Sequence, residues 1–159
     1  MTGRRAVGLV GVPFVWLGMV AAISLLEAPL KFQAEGVSRT EALAVGQLVF
    51  PALNAVEVVW AVTLLVLLWP VRRATELARV WRLALATVGI LLVQVAVVRP
   101  VLHTSTVAVI AGESEGGSSW HVVYIALEGV KLLLLLVVAV VMVRGVLAAA
   151  RSRTPADRE

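Results

Sequence analysis

Two long apolar stretches of the chain carry polar side chains at the same spacing. In each stretch, three amide, carboxylate, imidazole or ammonium groups stand at positions i, i+7 and i+10. The six residues are Gln47, Asn54, Glu57, His121, Glu128 and Lys131. At about 100° per residue, each trio falls on one stripe of an α-helix. Two such stripes facing each other could transfer protons, hold a polar ligand or supply nitrogen and oxygen ligands to a metal ion.

Other ionisable residues stand near the ends of apolar stretches. An isolated charge inside a membrane span costs about 3 kcal/mol on insertion scales, so such residues usually face one another. We therefore predict one cluster that binds a ligand or forms ion pairs. Its members are Glu27, Asn54, Glu57, Arg99, Tyr124, Glu128 and Lys131. Alternatively, pairs between Glu57 and Lys131, and between Arg99 and Glu27 or Glu128, only fix the helix register.

His103 and His121 are the candidate metal ligands. Imidazole together with carboxylate suits zinc, copper(II) or iron, whereas a chain with no Cys and three Met is a poor match for copper(I). The same two histidines could ligate a haem iron from both sides. A metal ion or a haem therefore stays open as a cofactor, beside an organic ligand.

The elements that must position these residues are membrane-spanning helices. The chain has 159 residues, is 60% hydrophobic and has a mean hydropathy of +0.97, which is more apolar surface than a soluble domain of this length can bury. Apolar runs predict four spans, at about 6–29, 42–69, 82–104 and 120–143. We expect the first run to remain as a span, because it is longer than the apolar region of a usual signal peptide. Pro100 is expected to end or kink the third span.

The predicted fold is thus all-α, an integral membrane four-helix bundle over residues 1–150 with a disordered tail at 151–159. Ten of the fourteen Lys and Arg residues lie before the first span, between the middle two spans, or from Arg144 onward. An excess of basic residues marks the cytoplasmic side, so both termini are expected in the cytoplasm. The chain would lie in the cell membrane, as in a bacterial inner membrane, with lipid and not nucleic acid as its partner. All cluster residues would then fall in the outer half or at the middle of the membrane.

Short motifs near the span ends resemble a known family. Glu27-Ala-Pro-Leu-Lys-Phe32 closes the first span and Gly46-Gln-Leu-Val-Phe-Pro51 opens the second, while Arg99-Pro100 and His121 fit the same pattern. They resemble a family of small four-helix membrane proteins of unknown function, whose bacterial members are similar to a eukaryotic transmembrane protein associated with platinum-drug resistance. The resemblance implies a fold and assigns no catalytic residue.

Three functions are compatible with this pattern. The one we favour is a membrane protein whose outer polar site binds a metal ion, a proton or a small ligand, as a transporter or a transport accessory. Since four spans are few for a complete pathway, a homo-oligomer or a membrane partner protein is expected. The second is an enzyme acting on a lipid or quinone, with His121 and Glu128 flanking the substrate. The third is a structural subunit of a larger membrane complex.

Overall fold

The computed structural model describes residues 3–72, 77–114 and 119–151, and within these ranges the chain forms helices and no strand. Four long helices follow one another. They are α1, made of Gly3–Ala21, Ala22–Glu27 and Ala28–Leu30; α2, made of Arg39–Leu68 and Trp69–Val71; α3, made of Ala78–Val93, Gln94–Val98 and Arg99–Ile110; and α4, Ser119–Arg151. The prediction of an all-helical chain with four long apolar helices is confirmed. Of the predicted disordered tail, 151–159, Arg151 is the last residue of α4, and 152–159 lies outside the described residues.

All four helices are long and apolar enough to cross a membrane. Their most apolar windows have mean hydropathies between 2.0 and 2.8, and each helix is at least 27 residues long. Large apolar side chains point outward from every helix; among the most exposed are Val7, Leu48, Val66, Val97 and Leu133. An apolar surface of this extent is typical of helices surrounded by lipid.

The helices form a bundle in which α1 and α3 each pack against α2 and α4. This arrangement places α1 diagonally opposite α3, and α2 diagonally opposite α4. The end of the bundle at which α1 and α3 finish and α2 and α4 begin is called the upper end. The opposite end is called the lower end. Around the lower half, a largely apolar core closes the bundle; it includes Leu9, Leu64, Leu68, Leu135 and Val138, all nearly or fully buried.

The connection between α1 and α2 fixes where α2 starts. Gly36 takes a φ of 79°, a left-handed conformation that glycine adopts without steric cost. Ser38 then caps α2: its hydroxyl accepts a hydrogen bond from the Glu41 N–H at 3.2 Å, and the Glu41 carboxylate accepts one from the Ser38 N–H at 2.8 Å. This capping box sets the register of α2, and thereby the height at which its polar stripe lies.

Two π-helical turns, Ala22–Glu27 in α1 and Gln94–Val98 in α3, each come just before a proline. The Ala28 N–H bonds to the Ile23 carbonyl, and the Arg99 N–H bonds to the Gln94 carbonyl, five residues back in each case. Of the two outcomes expected at Pro100, the end of the helix is excluded, since α3 continues to Ile110. A π turn is wider than an α turn, which gives room for the proline ring that would otherwise clash with the preceding turn.

Candidate ligand site

Lys131 lies at the centre of the bundle and joins the two diagonal helices. Its Nζ is 2.6 Å from Glu57 Oε1 on α2 and 3.0 Å from Glu128 Oε2 on its own helix. Lys131 and Glu57 are completely buried, and Glu128 is 4% exposed. The sequence spacing had suggested a Glu57–Lys131 pair, and the two side chains meet. Glu128 shares the same ammonium group.

The Glu57 carboxylate is held by neutral donors as well. The Trp16 indole N–H of α1 donates to Glu57 Oε1 at 2.9 Å, and Asn54 Nδ2 donates to Glu57 Oε2 at 3.1 Å. Trp16 is itself completely buried. Each carboxylate oxygen therefore has a donor, which is what a buried charge requires to be tolerated.

Glu128 is satisfied by the two remaining helices. Ser24 Oγ of α1 donates to Glu128 Oε1 at 2.8 Å, and Gln94 Nε2 of α3 donates to Glu128 Oε2 at 2.6 Å. All four helices thus contribute to one polar network at mid-height. The network contains two carboxylates and one ammonium group, so in its fully ionised form it carries one excess negative charge.

Arg99 supplies the nearest further positive charge. Its Nη1 lies 3.4 Å from Asn54 Oδ1, a long contact with a neutral group. Within residues 3–72, 77–114 and 119–151, Arg99 forms no ion pair, so the suggested pairs with Glu27 and Glu128 are absent. Glu27 instead contacts Lys31 one turn later, at 3.4 Å.

A cavity of about 580 Å³ opens above this network, between the upper halves of all four helices. Its polar lining consists of Ser24, Lys31, Gln47, Arg99, His103, Thr106, His121, Tyr124 and Glu128. The rest of the lining is apolar, and includes Phe32, Phe50, Leu102, Ile125 and Leu132. Along α4 the lining extends from His121 to Leu132, about 16 Å at the rise of an α-helix. This size is typical of small-molecule sites.

The cavity exists because α1 separates from its neighbours. Its lower part, Gly3–Ala21, packs closely along α2 and α4, whereas few close backbone contacts remain beyond Ala21, where the π turn begins. On α2, Gly46 leaves space for the Lys31 side chain, because a Cβ at this position would lie 3.0 Å from Lys31 Nζ. Glu128 is common to the cavity wall and the buried network, so the two form one site.

Two polar atoms in the cavity wall are buried and make no hydrogen bond of acceptable geometry within the described part of the chain. They are Gln47 Nε2 and the Tyr124 hydroxyl, although Asn54 lies beside the latter. A buried donor without an acceptor costs about 1–3 kcal/mol. Such groups are uncommon in folded proteins and mark positions where a further partner would stabilise the structure.

The predicted cluster is largely assembled in space. Asn54, Glu57, Glu128 and Lys131 are in direct contact, and Tyr124 and Arg99 adjoin them in the cavity wall. Glu27 does not line the cavity and lies at its edge with Lys31.

The predicted metal ligands, His103 and His121, both line the cavity but are exposed. In the described ranges, no three His, Asp or Glu side chains come close enough to hold a metal ion. The structure therefore gives no support to the metal site, and haem ligation by these histidines stays a prediction.

Three members of the network were missed from the sequence: Trp16, Ser24 and Gln94. Gln94 had a signal, because it is a lone amide in the middle of an apolar run and polar groups in spans usually bond across helices. The Ser24 hydroxyl could equally have bonded a carbonyl of its own helix, and Trp16 could equally have been an ordinary apolar core residue. Neither gave a comparable signal.

Comparisons with known protein families, with curated proteins and with solved structures found no match to this chain. The resemblance to the small four-helix membrane family therefore remains a prediction based on short motifs. Any functional assignment has to come from the site itself.

Proposed function

We propose that the chain is a multi-pass membrane protein that binds a small ligand in the cavity between the outer halves of its helices, and that it serves as a carrier or a transport accessory. The observation that supports this most is the direct junction of an open cavity with a buried ionic network through Glu128. A network built only to hold helices together needs no adjoining cavity. Changes in ligand occupancy at Glu128 would reach α1, α3 and α4 through the groups that contact it, and α2 through the contact of Lys131 with Glu57.

The proposed orientation places the lower end of the bundle in the cytoplasm. Arg4, Arg5, Arg79, Arg82 and Arg144 lie toward that end, which is the distribution expected for a cytoplasmic side. Trp69 and Trp81 meet there edge to face, with ring centroids 6.0 Å apart, in the manner of aromatic residues at a membrane interface. The cavity would then open in the outer half of the membrane.

Because the chain has no cysteine, single cysteines can report this orientation directly. In intact cells, a membrane-impermeant maleimide is expected to label Val37→Cys and Ser119→Cys, which lie before α2 and at the start of α4. It should label Arg151→Cys only after the membrane is permeabilised. Labelling of Arg151→Cys in intact cells, with protection of the other two, would reverse the orientation.

Gly129 allows a direct test of the cavity. It lines the cavity, and a Cβ built on it meets no atom within 4 Å, so a large side chain can be added without a clash. The probe is a long-chain alcohol that carries a photoreactive diazirine, added to the protein in lipid nanodiscs. We expect saturable labelling of cavity residues in the wild type, and a decrease of about tenfold or more in the affinity of Gly129→Phe, because the ring occupies the space.

Gly145→Phe is the matched control. Gly145 lies on the same helix, also has no atom within 4 Å of its Cβ, and is outside the cavity. Its labelling should equal that of the wild type. If Gly129→Phe were labelled as strongly as Gly145→Phe, the ligand-binding proposal would be wrong. The network would then be a helix-locking device, as expected for a structural subunit of a larger membrane complex.

A further inference from the structure

We infer that the ligand is a single-chain amphiphile with an anionic head group, a carboxylate or a phosphate monoester, whose head is bound by Arg99 and Lys31. The inference rests on the proposed function and specifies what the cavity binds. It follows from the two cations of the cavity wall, the polar side chains beside them and the apolar surface that leads out of the cavity.

Two of the charged side chains in the cavity wall are cations without a close, buried counter-charge. Three charged side chains line it: Lys31, Arg99 and Glu128. Glu128 contacts Lys131, which it shares with Glu57, and accepts hydrogen bonds from two neutral donors. Arg99 has no ion-pair partner among the described residues, and Lys31 has only Glu27, 3.4 Å away and itself one-third exposed. An anion in the cavity would neutralise charge that is otherwise partly removed from water.

The two cations both line the cavity, and they differ in how firmly they are held. Lys31 Nζ lies 5.0 Å from the centre of the Phe50 ring on α2, and the Gly46 backbone below it has no side chain that would displace it. Arg99 is held by only one long contact to a neutral amide, so its guanidinium can bind an acceptor without breaking an ion pair. Its planar fork matches carboxylate and phosphate oxygens.

The unsatisfied polar atoms of the wall can also serve as donors. Gln47 Nε2 and the Tyr124 hydroxyl are buried, line the cavity and have no partner of acceptable geometry in the described ranges. An amide N–H and a phenol O–H both donate to an anionic oxygen, which is a stronger acceptor than a neutral one. The wall thus combines two cations with two side chains that carry further donors, a set suited to an anion.

The apolar part of the cavity accounts for the hydrocarbon chain. Leu25 of α1 and Ile125 of α4 line the cavity and are 60% and 56% exposed, and Phe32 is 47% exposed. These side chains belong to the region where α1 separates from its neighbours. A ligand can therefore keep its head at Arg99 and extend its chain between α1 and α4 toward the lipid.

The experiment measures binding of radiolabelled oleate to the detergent-purified protein, with competition by chain-matched and head-matched compounds. Oleoyl lysophosphatidic acid should compete as well as oleate, whereas oleyl alcohol and oleoyl lysophosphatidylcholine should compete about tenfold less well or worse, because they lack a net negative head. Acetate and inorganic phosphate should compete poorly, because they lack the chain. Equal competition by these free anions would mean that the site binds a free anion, and would overturn the proposal that the ligand is an amphiphile.

Variants locate the head group. Arg99→Gln and Lys31→Gln should each reduce the preference for oleate over oleyl alcohol several-fold, with binding of the alcohol unchanged. Arg144→Gln removes one positive charge at the other end of the bundle and should leave the preference intact. Arg99→Lys keeps the charge and should keep most of the preference; a loss as large as in Arg99→Gln would assign the effect to packing and overturn the role of charge.

The two proposals fail separately. In one case, oleyl alcohol and lysophosphatidylcholine displace oleate as well as the anions do, and Gly129→Phe still blocks binding. The cavity is then a ligand site, but the proposal of an anionic head group is wrong. If no compound binds saturably in the wild type, both proposals are wrong.

Discussion

Lys131→Met is expected to lower the free energy of unfolding by about 3–5 kcal/mol, the cost of leaving buried charges without their partner. The substitution keeps most of the side-chain volume but removes the only ammonium group that contacts Glu57 and Glu128 within the described chain. Both carboxylates are almost fully buried, so neither can recover its lost interaction from water. Thermal and denaturant unfolding of the detergent-purified protein measures the loss.

Lys31→Met is the control for this prediction. Lys31 pairs with Glu27 at 3.4 Å at the edge of the cavity, where the carboxylate is one-third exposed. A pair of this kind contributes less than about 1 kcal/mol, so the control should unfold close to the wild type. A triple variant, with Lys131→Met, Glu57→Gln and Glu128→Gln, should regain much of the stability, because no unpaired charge is left. An unchanged unfolding profile of Lys131→Met itself would contradict the central position of Lys131.

Trp16→Phe is expected to cost about 2–4 kcal/mol, the second-largest effect. The indole is completely buried and its N–H donates to Glu57 Oε1 at 2.9 Å. Phenylalanine removes both the donor and part of the packed volume. The change should appear in the same unfolding measurement as that of Lys131→Met.

Trp60→Phe is the control that separates the loss of an indole hydrogen bond from the loss of indole volume. The Trp60 N–H is buried but has no hydrogen-bond partner among the described residues, so its removal should cost less than about 1 kcal/mol. Combining Trp16→Phe with Lys131→Met should give a non-additive loss, with a coupling of about 0.5–3 kcal/mol, because both side chains contact the same oxygen of Glu57. Equal losses in Trp16→Phe and Trp60→Phe would mean that the hydrogen bond to Glu57 contributes little.

Much of the polar core could be predicted because helical periodicity relates sequence spacing to spatial position. The i, i+7, i+10 pattern put Asn54 and Glu57 on one stripe and Glu128 and Lys131 on another, and these stripes meet across the bundle diagonal. Charges in apolar runs have few alternatives to pairing with each other, which made Glu57 and Lys131 obvious partners.

The rest depended on how the helices pack, which periodicity does not determine. Trp16 joins the network through one indole N–H that its sequence surroundings do not reveal. Glu128 was considered as a partner of Arg99, but the i, i+3 neighbour Lys131 is closer. The cavity lies where α1 separates from its neighbours after Ala21, at the start of a π turn that no residue pattern had indicated.

The π turns also determine which side chains share a helix face above and below them. A π turn takes up roughly one residue more than an α turn, so everything beyond it is rotated by about 100° relative to an uninterrupted helix. In α3 the segment that carries Arg99 begins directly after such a turn, and in α1 the same holds for the segment that leads to Lys31. This angular offset, added to the sequence spacing from the core residues below, sets the direction of both cations, which line the same cavity. Loss of one residue in either turn would leave the apolar length of the helix almost unchanged while turning its cation away from the cavity.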